Sequence, residues 1–149
     1  AFSPYLSTTR GMIVTILYRM EGSPTVTESC LFADVKSGSY YEKAVTWAAA
    51  NGIVNGYSSE QFGPNDNITR EQLAAIFYRY AGYKGMEAVT LAEHLTGFAD
   101  SDKISTYAIS AMNWAVGEGL MQGSGNYLSP QGDATRAQVA AILHRFLTK

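Results

Sequence analysis

The chain has six arginines, and all of them occupy two positions of one recurring pattern. Arg10, Arg70 and Arg136 each follow a threonine, and Arg19, Arg79 and Arg145 each stand nine residues further on. A guanidinium is a planar fork of five N–H donors with a permanent charge, suited to a carboxylate or a phosphate. The chemistry these residues offer is recognition of an anion. On a helix, nine residues are about two and a half turns, so the two sets face opposite sides. The second set falls near a helix C-terminus, where a cation favours the macrodipole and acts as a stabilising or solvated charge. The first set follows a helix N-cap, where a positive charge costs about 0.3–1 kcal/mol. Two readings explain why three copies accept that cost: a salt bridge to an aspartate of a neighbouring repeat, or an anion site where helix N–H groups and the fork converge. The second is preferred.

These arginines require helices to position them. Phe2-Ser-Pro, Phe62-Gly-Pro and Leu128-Ser-Pro lead into Thr9-Arg10, Thr69-Arg70 and Thr135-Arg136 at one fixed spacing, so a unit recurs every 60 to 66 residues. After each threonine come apolar residues at helical spacing: Ile13, Ile16, Leu17 and Met20; Leu73, Ile76, Phe77 and Tyr80; Val139, Ile142, Leu143 and Phe146. Threonine supplies the N-cap, and Gln72 and Gln138 complete capping boxes that Met12 breaks in the first copy. The other half of the unit occurs twice, with Phe32-Ala-Asp34, Trp47, Gly52 and Gly56 matching Phe98-Ala-Asp100, Trp114, Gly119 and Gly123. Tyr41, Ala44, Val45 and Ala48, and likewise Ala108, Ala111, Met112 and Ala115, form the stripe of a shorter helix that stops at Gly52 or Gly119. Helices are expected to begin near 9, 40, 69, 105 and 135. The chain is read as one domain over 1–149, with repeats at 32–85 and 98–149 preceded by the second half of a first repeat at 2–24.

Composition narrows the function. A net charge of -2 offers no basic field for nucleic acid, and no apolar run reaches membrane-spanning length, so neither nucleic-acid binding nor membrane insertion is expected. Cys30 is alone, which leaves no disulfide framework or thiolate metal cluster. The N-terminus lacks the pattern of a signal peptide, which is expected to have been removed already. His94 and His144 are far apart, and no nucleophile elbow, zinc-protease or phosphate-loop motif occurs. The expectation is a non-catalytic module without cofactor or metal.

Around the arginines, Asp34 and Asp100 precede the first helix of each full unit, either as its caps or as ligand contacts. Trp47 and Trp114 either pack beside the buried stripe or present an indole face to a sugar ring. Gly56 and Gly123 meet a backbone requirement first and allow close approach of a ligand second.

Together these motifs, Phe-Ala-Asp…Trp-Ala…Gly-Ile-Val-Asn-Gly-Tyr…Phe-Gly-Pro-Asn-Asp-Asn-Ile-Thr-Arg-Glu-Gln, resemble the S-layer homology repeat of bacterial surface proteins over residues 2–24, 32–85 and 98–149. The resemblance implies an all-α fold of helix-turn-helix units in a pseudo-threefold arrangement with the first unit incomplete. It implies an extracellular module of a bacterial cell wall or S-layer that grips secondary cell-wall polysaccharide, often through pyruvylated N-acetylmannosamine. The family's Thr-Arg-Ala-Glu arginine, which faces the ligand's carboxylate, corresponds to Arg10, Arg70 and Arg136. Trp47, Trp114, Asp34, Asp100, Gly56 and Gly123 are the implied groove residues. The signature departs at Gly11 and at Met12, Gln72 and Gln138. A gap where the first half-repeat is missing is expected to be filled by a separate fragment, a swapped partner or nothing. If grooves join neighbouring repeats, Arg136 lacks its partner; if they lie within repeats, Arg10 does. The competing reading is a protein–protein assembly module of a surface layer without direct glycan binding.

Overall fold

The computed structural model describes residues 6–86 and 92–148. Its helices are α1 (Arg10–Met20), α2 (Glu42–Ala50), α3 (Arg70–Tyr83), α4 (Ile109–Gly117) and α5 (Arg136–Leu147). Among the described residues there is no strand, only isolated bridges, so the all-α class holds. Thr9, Thr69 and Thr135 cap α1, α3 and α5, each with its hydroxyl accepting from the backbone N–H three residues on. Gln72 and Gln138 return the bond to the threonine N–H, whereas Met12 cannot. The cap chemistry therefore follows the residue types copy by copy.

The shorter helices differ in how they begin. No side chain caps α2 or α4, and Asp34 and Asp100 do not serve as caps for them. A 3-10 turn at Thr106–Ala108 leads into α4, which accounts for the late α-helical start relative to 105. Just before it, Ser105 gives both its backbone N–H (2.9 Å) and its hydroxyl (2.6 Å) to the Glu71 carboxylate. Both helices end as expected. Gly52 and Gly119 sit at φ +71° and +73°, and Ile53 and Leu120 reach back 2.8 Å to the carbonyls of Ala48 and Ala115. Positive φ without a Cβ penalty is the reason for glycine at these stops.

Close packing divides the chain into two units, one of residues 8–67 and one of residues 68–149 together with the N-terminal segment 1–7. Their boundaries do not follow the sequence repeats. In the first, α1, from the second half of one repeat, packs on α2, from the first half of the next. In the second, α3 packs on α4 in the same manner. The core of the 8–67 unit joins Ile13, Val14 and Leu17 to Ala44, Val45 and Ala48, all essentially inaccessible to solvent. Val14 is buried where Ile16 was expected, and Ile16 and Met20 are only partly covered. The core of the 68–149 unit is built from Leu73, Phe77, Tyr80, Met112, Leu120 and Leu128, with Phe146 of α5 5.4 Å from the Phe77 ring. Apolar burial on this pattern, at about 25 cal/mol per Å² removed from water, drives the assembly of each unit.

Candidate ligand-binding site

Each threonine-linked arginine has a backbone role and a side-chain role. The Arg10 N–H donates to the Asp66 carbonyl, the Arg70 N–H to Gly132 and the Arg136 N–H to Leu6, all at 2.9 Å. In each case the acceptor belongs to the turn that precedes a helix of another repeat copy. Isolated bridges Thr9–Asn67, Thr69–Asp133 and Ser7–Thr135 run alongside. The first N–H of each of these helices, an orphan donor, is thus given to a backbone carbonyl.

The side chains of Arg10 and Arg70 reach across to the loop of the next half-repeat. Arg10 donates from Nε to Phe62 O (3.0 Å) and from Nη2 to Asn55 O (3.1 Å). Arg70 donates from Nε to Leu128 O (2.7 Å) and from Nη2 to Gln122 O (2.8 Å). Both arginines are buried, and the Arg10 guanidinium lies 4.7 Å from the ring centres of Tyr57 and Phe62. Of the two readings drawn from sequence, neither describes these bonds: the fork first grips neutral carbonyls. Burial lowers the Arg70 pKa from its ordinary value, and the charge of Asp100 opposes that shift.

The aspartates grip the same loops from the other side. Asp34 accepts from the N–H groups of Phe62 (2.9 Å) and Gly63 (2.8 Å), and Asp100 from those of Leu128 and Ser129, both at 2.8 Å. Phe62 and Leu128 therefore have both backbone polar groups held, the N–H by an aspartate and the carbonyl by an arginine. This replaces the capping role weighed for Asp34 and Asp100. Desolvation opposes ionisation of Asp100, but the N–H bonds from Leu128, Ser129 and its own backbone, with the charge of Arg70, outweigh it and hold the carboxyl below its ordinary value.

The glycines keep these loops close to the Phe-Ala-Asp motif. A Cβ on Gly56 would stand 2.4 Å from the Phe32 ring and 2.6 Å from Ser58 O; on Gly123 it would stand 2.5 Å from the Phe98 ring and 2.8 Å from Tyr127 O. The requirement is space, not positive φ. Trp47 and Trp114 are 4% and 2% exposed, with their rings 5.6 Å from Tyr18 and 5.5 Å from Tyr78. Their indole faces are covered, which matches the packing alternative.

Beside the loop clamped by Arg70 lies a cavity of about 450 Å³. Arg70, Gln122, Gly123, Gln138 and Arg145 line it, with Asp133 as the one carboxylate. Arg145 uses one donor, Nη1, on the Leu120 carbonyl at 3.1 Å. Sequence reasoning gave this second arginine only a role at its own helix end, because its approach to α4's exit loop depends on tertiary packing. The groove joins Arg70 of one repeat to the loop of the next. Trp47, Trp114 and Arg136 do not line it.

The repeated threonine-arginine helix starts, each clamping the loop of an adjoining half-repeat, define a helical repeat module. The S-layer homology domain model matches residues 31–74 and 97–140, and the chain belongs to that family. It is 36% identical over 149 residues to an endoglucanase of Bacillus sp. (strain KSM-635), covering 99% of this chain and 16% of the relative. It is 33% identical to an amylopullulanase of Thermoanaerobacterium thermosulfurigenes over 99% of this chain and 8% of the relative. It is 30% identical to the surface-layer 125 kDa protein of Lysinibacillus sphaericus over 76% of this chain and 10% of the relative. The chain thus spans a minor part of each. S-layer homology domains are cell-wall anchoring modules of surface proteins. No helix among the described residues is long and apolar enough to cross a membrane.

Proposed function

We propose that this module holds its parent protein to the wall by binding an acidic secondary cell-wall saccharide, without altering it chemically, in the groove of the 68–149 unit. The observation that carries this reading is the pairing of Arg70 and Arg145 in one cavity against a single carboxylate, Asp133. A guanidinium has five N–H donors. Arg70 commits two to loop carbonyls and Arg145 one. The remaining donors suit a carboxylate such as a pyruvate ketal, whose charge-assisted bonds are about twice as strong as neutral ones. Asp100 and Gly123 shape the loop that forms one wall. In the 8–67 unit, Arg10, Asp34 and Gly56 build the equivalent loop, and the same ligand class is proposed there.

Arg145→Gln separates binding from folding better than a change at Arg70, which also holds the loop. Calorimetric titration with purified wall polysaccharide is expected to show affinity reduced about tenfold, the size of one lost charge-assisted contact. The melting temperature should stay close to that of the parent chain. Unchanged affinity in a folded Arg145→Gln protein would remove Arg145 from the site.

A further inference from the structure

The Arg10 and Arg70 clamps are alike in hydrogen bonding and unlike in what lies on the guanidinium. In the 8–67 unit, Arg10 Cζ stands 4.7 Å from the ring centre of Tyr57 and 4.7 Å from that of Phe62. Phe62 is fully buried in the clamped loop, whereas Tyr57 is 53% exposed. Tyr57 directly follows Gly56, and Ser124 follows Gly123 in the same way. Serine has no ring to lay on a cation, and among the described residues none lies over Arg70. Ser124 and Arg70 instead line the cavity of about 450 Å³.

A second position changes with the first. Gly63 and Ser129 are counterparts, each giving its N–H to the aspartate of its clamp at 2.8 Å. Both have positive φ, +74° and +52°. Glycine takes that conformation without strain, and a residue with a Cβ does not. At Gly63 a Cβ would stand 2.9 Å from Tyr57 Cζ and closer still to Cε2, so only glycine leaves the ring its place. At Ser129 the backbone strain is accepted, and a side chain stands on the cavity wall.

We infer that Tyr57 is a cover on the Arg10 clamp, and that Ser124 with Ser129 keeps the Arg70 clamp uncovered, so the two saccharide sites are unequal. This rests on the reading that the clamped loops bind an acidic saccharide. The face of the phenol ring attracts the Arg10 cation. A carboxylate gains Arg10 only after the ring has swung away, and that attraction is given up in the exchange. Arg70 asks for no such exchange and fills first.

The test titrates the methyl glycoside of pyruvylated N-acetylmannosamine into the 149-residue chain while heteronuclear NMR follows the Nε–H signals of Arg10 and Arg70. Arg10 should reach half-saturation at a concentration at least about fivefold higher than Arg70, the ratio that one cation–π contact corresponds to. Tyr57→Ser should bring the two half-saturation points together. Before any ligand is added, it should also move the Arg10 Nε–H signal downfield, out of the shielding of the ring. Tyr57→Phe keeps the ring and should keep the ratio of the parent chain. Equal half-saturation in the parent chain overturns the inference and leaves the groove reading standing. So does a Tyr57→Ser protein that retains the parent ratio or the parent Arg10 signal, or a Tyr57→Phe protein that opens the site as serine does. An Arg70 signal that never responds overturns the groove reading and the cover together.

Discussion

At the scale of single residues, the arginine after each capping threonine is a strut before it is a ligand group. Arg70 satisfies two buried carbonyls of the 120–130 loop at 2.7 and 2.8 Å. An ammonium is a point donor and cannot reproduce that fork. Arg70→Lys is therefore expected to cost about 1.5–3 kcal/mol, the range for a lost hydrogen bond to a charged group. Arg19, exposed on α1, should tolerate lysine within about 0.5 kcal/mol. Paired urea melts check both, and equal shifts would refute the distinction. Thr8 argues the converse case. It is 2% exposed and its hydroxyl has no partner, while its counterparts Ile68 and Ala134 are apolar and fully buried. Thr8→Val keeps the shape and removes the unpaired hydroxyl, so a gain of about 1 kcal/mol is expected. A loss of stability would mean the hydroxyl is satisfied in solution.

At the scale of elements, what could be read from sequence was what is local. Helix starts at the threonines, capping boxes at Gln72 and Gln138, and glycine stops at Gly52 and Gly119 follow from residue type and spacing alone. The roles of Asp34 and Asp100 did not, because their acceptor geometry depends on a loop 28 residues downstream. Glu71 was missed as well. It is 4% exposed and binds Ser105 and Gln131, and the available signal was a charged residue where the other copies have Gly11 and Ala137. The clamp on the 120–130 loop also has a pH signature. Asp100 ionises more readily folded than unfolded, so its stabilisation is in full force above the ordinary carboxylate pKa of about 4 and is lost as pH falls through its own lower value. Asp100→Asn should flatten the acid limb of the melting-temperature profile below about pH 4. Identical acid limbs in the two proteins would contradict the clamp's electrostatic part.

At the scale of the whole molecule, the repeats in sequence and the units in space are out of phase by half a repeat. Each compact unit takes an arginine helix from one copy and a Phe-Ala-Asp half from the next. Sequence left open whether grooves lie within or between repeats, because periodicity fixes the copies but not which copies touch. The clamps by Arg10 and Arg70 run between them. Family membership makes the chain a wall-anchoring module, and the groove's two guanidiniums make an acidic saccharide its proposed ligand. The most direct measurement is co-sedimentation of the folded 149-residue chain with purified wall material before and after removal of pyruvate ketals. The account predicts binding that is lost, or weakened at least about tenfold, once the carboxylates are gone, as expected when charge-assisted bonds carry recognition. Equal binding to both materials would contradict it.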